Sequence, residues 1–489
     1  MLEKKIISSI LYPILPKSGR FYRRISHSTA GRLQFCSSRL PQMPFSCYIA
    51  PITFQRMKPM NPKFKQDLRW VQLDNAAKIY PASRTRRWSN VFRLSATLTE
   101  PVDTAVLQSA LDVMVPRFPT IAARLRRGVF WYYLQQLQEA PKVLQEYSYP
   151  LAYMHPEEAR RCAFRVIVHE NRIAAEFFHS LTDGTGGLIF LKSLVAEYLQ
   201  QKYGVQIPPV QGVLDRQEAP SREEMEDSFL KYAGPVSASR KERDAWHFHG
   251  TLEPDGRLNL VCLQLNTEEV LQKAHEYDTT LTGFLSAVLM VAILSLQSEK
   301  IPDIRRRKAV KVLIPVNLRK LFPSRSLRNF ALYTIPEIDP RLGQYEFREI
   351  CKIVKLKMDT DITPKQMSRM IATNVGSERL MAVRIMPLPI KNLVMKAVFN
   401  AVGERKSFMS LSNLGAVQLP EEMKTHLTRM DFILGVQASA PHNCGVLSFG
   451  DTLYMNFIRN IKEADLEYHV WQVLRDLGLS ATVQSNQEA

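Results

Sequence analysis

Cysteine is scarce and unpatterned in this chain. The six residues Cys36, Cys47, Cys162, Cys262, Cys351 and Cys444 are scattered, with no CxxC pair. Such spacing excludes a disulfide framework and a four-cysteine zinc site, and reads as reduced thiols of a cytosolic protein. Long apolar runs are missing too. The longest, Leu285 to Leu296, has twelve residues, short of the roughly 20 that cross a bilayer. It reads as a buried core helix, so no transmembrane segment is expected. There is no P-loop, no GxGxxG and no GxSxG nucleophile elbow, which removes the commonest nucleotide and serine-hydrolase sites. His247 and His249 flank Phe248 without a third ligand at zinc spacing, so no metal is expected. Acid is nearly absent from one end: residues 1–57 hold nine Lys and Arg against Glu3 alone.

What is present fits a large folded protein. Of 489 residues, 45% are hydrophobic and 23% charged, enough for a sizeable core and about two to four domains at roughly 150 residues each. The net charge of +18 and pI near 9.6 favour a polyanionic partner, an anionic surface or a phosphate-rich co-substrate. No aromatic-basic RNA-binding signature or C₂H₂ spacing accompanies the charge, so nucleic acid is not expected. Residues 1–57 admit three readings: a signal broken by Pro13, an Arg-rich transit peptide, or an extension before a true start at Met57 or Met60. The last is preferred, with disorder expected in each case.

Globular patterning begins near Trp70 with WVQLDNAAKIYPA, followed by a strand VFRLSATL over 91–98. Residues 103–115 read as a helix capped by Asp103, with Leu107, Ala110, Leu111 and Met114 on one face and Pro116 and Pro119 ending it. GVFWYYLQ (128–135) reads as a strand. CAFRVIVHE and IAAEFF flank Asn171-Arg172, which predicts a hairpin with a two-residue turn. The period then changes. Residues 179–187 read as a loop before the helix LIFLKSLVAEYLQQKY, and GTGG reads as a helix start. Residues 204–245, rich in Pro, Gln, Glu, Arg and Ser, read as a crossing linker. The second half reads as strand (258–265), core helix (280–294), strand (309–318), helix (387–402), strand then turn (407–415), strand (452–460) and helix (465–479). No 20–50-residue repeat interrupts this α/β (α+β) pattern.

One constellation carries chemistry: His179-Ser180-Leu181-Thr182-Asp183-Gly184. Attack of a hydroxyl on a thioester needs a base whose pKa lies near working pH, and histidine at about 6.5 supplies it. A carboxylate four residues on can lock the loop through an arginine elsewhere. The adjoining glycine allows a tight turn, and Phe177 and Phe178 keep the site partly dry. Ten histidines tested for Asp at +4 and Gly at +5 would match by chance in roughly a few per cent of such chains. Its place between strand and helix strengthens the assignment.

HSLTDG resembles the HxxxDG motif of the chloramphenicol-acetyltransferase-like superfamily, which includes peptide-synthetase condensation domains, plant BAHD acyltransferases, wax ester synthases and alcohol acetyltransferases. PVNLR (315–319) is similar to the NxR element of the second half, RNF (328–330) follows it, and TLTGFLSAVL precedes it. The opening WVQLDNAAKIYPA, with RFPTIAARLRRGVFWYYL, is most similar to bacterial alcohol acetyltransferases. The resemblance implies two α/β lobes, residues 58–203 and 251–489, joined by a linker over 204–250, each with a mixed sheet and with an active-site tunnel between them. It implies acyl-CoA as co-substrate with no bound cofactor, a hydroxyl or amine acceptor, and His179 as general base without a covalent intermediate. It makes Asp183 a structural partner of Arg319, and Gly184 a structural turn. The alternative readings are a solvated surface carboxylate for Asp183 and a surface strand-end charge for Arg319. Ser410, Ser412 and Asn413 are candidate oxyanion donors, with ordinary turn chemistry in SNLG as the alternative. Arg124, Arg126 and Arg127 are candidates for CoA phosphates, though no spacing selects them. Phe178 stands where many condensation domains carry a first histidine, and DFGWG is absent; both argue against a plant BAHD enzyme and a carrier-protein condensation domain. An acyl-CoA-dependent O-acyltransferase is therefore expected. The rivals are a condensation-type enzyme fed by a carrier protein and a catalytically silent binding module.

Overall fold

The computed structural model describes residues 70–84, 90–235, 243–402, 404–436 and 440–487. The chain divides after Lys65, and everything below concerns the unit from Gln66 onward; the extension expected at 1–57 lies outside the described residues. Two separate mixed sheets organise it. The first runs Leu427–Ile433, Val91–Leu98, Arg172–Phe178, Phe164–His169, Leu144–Gln145. The second has eight strands and is centred on Val310–Asn317, Met409–Ala416, His442–Phe449, Thr452–Arg459 and Asn259–Asn266. In it, Met409–Ala416 runs parallel to both neighbours while the rest pair antiparallel. Val71–Gln72, Tyr132–Gln136 and Ala123–Arg127 form a small third sheet.

Each large sheet has its own apolar core. Phe92, Leu94, Leu107, Phe177, Phe190 and Leu194 belong to the first; Phe284, Leu289, Val310, Leu411 and Val446 to the second. The helix Thr104–Arg117 starts at Asp103, whose carboxylate accepts from Ala105 N and Val106 N. Pro116 lies inside its last turn rather than beyond it. A proline there forfeits a single backbone hydrogen bond, and Phe118 N still closes onto Met114 O. The helix Leu281–Lys300 is long and apolar enough to cross a membrane, yet Phe284 to Met290 are buried in the second core. It extends past the twelve-residue apolar run because Thr280 caps its start and polar Ser298 to Lys300 finish it at the surface.

Three local expectations shift. The hairpin turn is Glu170-Asn171, one residue earlier than the pattern suggests, because His169 pairs with Arg172 and Glu170 takes φ of 50°. Residues 128–131 form the turn of a second hairpin rather than a strand, with Gly128 N donating to Trp131 O. The stretch read as a linker holds two short helices, Arg222–Met225 and Ser228–Tyr232. It is tied down by Arg117, whose guanidinium reaches Glu224 at 2.6 and 3.0 Å, and by the buried ring of Phe229.

Candidate active site

His179 follows directly on the strand Arg172–Phe178. Its backbone N donates to Asn90 O at 2.8 Å. Asn90 sits at φ of 57°, a left-handed conformation that asparagine tolerates better than most residues. Its side-chain amide holds it there by donating to Tyr80 O at 2.8 Å. The imidazole stacks on Tyr80 with centroids 4.4 Å apart and meets the edge of Phe92 at 5.1 Å. It keeps part of its surface exposed. Burial of the remainder pulls its pKa below the usual 6.5, against opposing contributions from its own backbone, Asp183, Asn329 and Asp74.

The imidazole is also pinned by a group that the motif does not contain. Asn329 Oδ1 lies 3.0 Å from His179 Nδ1. The amide nitrogen of Asn329 donates to His179 O at 3.0 Å and to Asp74 Oδ2 at 3.3 Å. Two acceptors on the nitrogen side settle the amide's orientation, so its oxygen must accept. Nδ1 therefore carries the proton, and Nε2 is left with the free lone pair. Asp74 is fully buried and also accepts from Ala77 N at 2.7 Å. Asn329 and Asp74 were invisible to motif reading as partners of the histidine, although both lie in quoted segments, RNF and WVQLDNAAKIYPA.

Asp183 faces away from this work. One carboxylate oxygen accepts from Gly186 N at 3.1 Å, capping the 20-residue helix Gly184–Tyr203. The other accepts from Arg319 Nη1 at 2.7 Å and Phe330 N at 2.9 Å. Arg319 is spent on further acceptors, Ser326 O at 2.9 Å and Arg328 O. Asp183 and Arg319 are thus brought together across the two halves of the chain, both mostly buried. Asn317 completes the knot by donating to Thr185 Oγ1 at 3.1 Å. Gly184 opens the helix without a positive φ. Its constraint is room, since a Cβ would lie 2.9 Å from Leu414 Cδ2. Gly186 is tighter still, with Leu327 O and Thr182 Oγ1 both 2.2 Å from where a Cβ would sit.

Ser410, Ser412 and Asn413 share the strand Met409–Ala416. Ser410 N donates to Asn443 Oδ1 at 2.8 Å. Asn413 donates to Thr282 Oγ1 and accepts from Gly415 N at 2.8 Å, which is turn chemistry. The Ser412 hydroxyl is partly exposed and has no hydrogen-bond partner among the described residues. It lies two residues before Leu414, the side chain that meets Gly184. Arg124 and Arg126 both donate to Gln135 Oε1 within the small sheet, apart from the histidine loop. Among the described residues no cluster of His, Cys, Asp or Glu is arranged to hold a metal ion.

Solved structures with this arrangement of sheets exist. Trichothecene 15-O-acetyltransferase from Fusarium sporotrichioides superposes with a TM-score of 0.53 over 84% of this chain and 95% of that one, at 11% identity. The fold is that of two-lobed acyltransferases and condensation domains. The wax ester synthase/diacylglycerol acyltransferase from Marinobacter aquaeolei gives 0.51, 83% and 100%, at 12% identity. A variant of the starter condensation domain of rhizomide synthetase, in complex with C8-CoA, gives 0.53, 83% and 94%, at 13% identity. No protein-family model matches the sequence, and no curated protein sequence matches it.

Proposed function

We propose that this chain transfers an acyl group from an acyl-CoA to an alcohol, with His179 as general base, in the manner of an alcohol O-acetyltransferase. The observation that carries this reading is the Asn329 amide holding Nδ1 of His179. A neutral imidazole locked in that tautomer, with its pKa drawn down by burial, presents Nε2 as a ready proton acceptor. In the proposed reaction Nε2 takes the acceptor hydroxyl proton as the oxygen attacks the thioester carbonyl. The tetrahedral oxyanion is met by a hydrogen-bond donor, for which Ser412 is the freest of the three serine and asparagine candidates. Collapse expels the CoA thiolate, which recovers the proton from His179. No acyl-enzyme forms, and no cofactor is needed.

The acyltransferase fold and the C8-CoA complex of one similar structure support acyl-CoA as donor. Condensation domains of the same fold keep a carrier-protein donor as the second reading. Acceptor-dependent thiol release from acetyl-CoA and longer acyl-CoAs, across alcohols and amines, separates them. Release that drops at least about 100-fold in His179→Ala supports the proposal. Activity with acyl-carrier protein alone supports the second reading, and release that survives His179→Ala removes the histidine from the chemistry.

A further inference from the structure

From Arg379 to Gly403 the sequence contains no acid, while Arg379, Arg384, Lys391 and Lys396 supply positive charge among Leu, Ile, Met and Val. The structure folds most of this stretch into two consecutive helices, Met381–Ile385 and Leu388–Val402. In an ordinary surface helix the apolar side chains turn inward. Here Met381 is 67%, Ile385 63% and Leu393 71% exposed, and Leu380 and Ile390 stand out beside them. Arg379, Arg384 and Lys396 are also exposed, and none makes an ion pair among the described residues.

The inward side of these helices is already occupied. Leu388 N donates to Val129 O, Lys391 Nζ to Phe130 O at 2.7 Å, and Asn392 to the Tyr132 hydroxyl at 3.0 Å. The hairpin tip they hold adds two more exposed apolar side chains, Val129 and Phe130. Phe130, Met381 and Ile385 also line a cavity of 680 Å³ that runs inward to Leu73 and Lys78, next to the Asp74 that steadies Asn329. Phe130, Met381 and Ile385 therefore stand at the rim of a cavity whose wall includes Leu73, the residue before Asp74.

We propose that the helices Met381–Ile385 and Leu388–Val402 dock on an anionic lipid surface, with Leu380, Met381, Ile385, Ile390 and Leu393 entering the headgroup boundary. Aliphatic side chains interleaved with cations that make no ion pair among the described residues suit an interface whose interior is apolar and whose headgroups are negative. Like charge opposes the other covers. A second copy would bring the same cations, and residues 1–57 bring nine Lys and Arg against one acid. Docking also sets the cavity mouth against the bilayer, the side from which a lipophilic substrate would arrive. That consequence rests on the acyl-transfer reading; the docking itself does not.

The test is co-sedimentation of the full chain with phosphatidylcholine vesicles, with and without phosphatidylserine. The variants are Ile390→Glu/Leu393→Glu and Lys396→Glu. Neither Ile390, Leu393 nor Lys396 lines the cavity, and unchanged melting temperatures will show that the variants are folded. The proposal expects binding that requires phosphatidylserine, falls at least about tenfold in the apolar double variant and weakens about fivefold or more in Lys396→Glu. Binding left intact by the double variant would assign the membrane contact to residues 1–57 and overturn the proposal. So would equal binding to both vesicle types, or none to either. Because the readout is sedimentation, failure of the acyl-transfer reading leaves it unaffected.

Discussion

At the scale of residues, the histidine is set by its surroundings more than by its motif. Burial against Tyr80 and Phe92 disfavours imidazolium, so the neutral imidazole, the proposed base, persists to lower pH than a free histidine allows. The acid limb of the kcat/KM profile is therefore expected to have its midpoint below 6.5, with activity lost as pH falls through that value. Asn329→Leu removes both the tautomer lock and a hydrogen bond that favours the charged ring. It is expected to lower kcat at least about tenfold and to move the acid limb further down; a packing defect alone would leave the limb in place. His179 was singled out in the sequence as the candidate base, because HSLTDG places a histidine, a carboxylate and a glycine at fixed spacing. Asn329 was not, since it lies 150 positions away and only the fold carries RNF to the imidazole.

At the scale of elements, the helix Gly184–Tyr203 is where the site and the stability of the protein meet. Asp183 caps it and holds Arg319 and Phe330 N in the same carboxylate. Asp183→Asn retains a cap acceptor but strands a mostly buried guanidinium. Thermal or denaturant unfolding is expected to report a loss of about 3–5 kcal/mol, with Asp183→Ala losing about 1 kcal/mol more through the cap. Gly186→Ala drives a methyl into Leu327 O. Neither partner is the end of a flexible chain, so a cost of at least about 1–3 kcal/mol is expected in the same measurement. The amphipathic and strand-like stretches were legible because periods of 3.6 and 2 survive in the sequence. Turn positions drifted by a residue or more, as at Glu170-Asn171 and 128–131, because register is set by cross-strand partners rather than by local propensity.

At the scale of the whole molecule, the halves are interleaved. Leu427–Ile433 lies late in the sequence yet pairs with Val91–Leu98, closing the edge of the first sheet and adding Met430 and Phe432 to its core. A fragment ending at residue 235 is therefore expected to expose Val91–Leu98 as an open edge and to lack cooperative melting and protected amides by hydrogen exchange. A second whole-molecule property follows from His442. It is 1% exposed, stacked on Phe408, and 4.0 Å from Glu467, and neither ring nitrogen has a hydrogen-bond partner among the described residues. Burial lowers its pKa, so the unfolded chain binds the proton first. Stability is then fully present above about pH 6.5 and declines as pH falls below it. Melting temperatures at pH 5 and pH 7 should differ in that sense, and the difference should shrink in His442→Phe.

By itself the sequence determined the fold class and most long elements, and it singled out the histidine with its neighbouring aspartate and glycine as the candidate site. These are properties of short windows, where hydrophobic period, capping residues and fixed spacing act on adjacent positions. Only the tertiary structure decided that Asp183 and Arg319 meet, that Asn329 selects the imidazole tautomer, that Asn413 is engaged in a turn while the Ser412 hydroxyl has no hydrogen-bond partner among the described residues, and that a late strand completes an early sheet. Each depends on contacts between segments far apart in the chain. Their geometry is set by how two cores pack, and no local pattern encodes it.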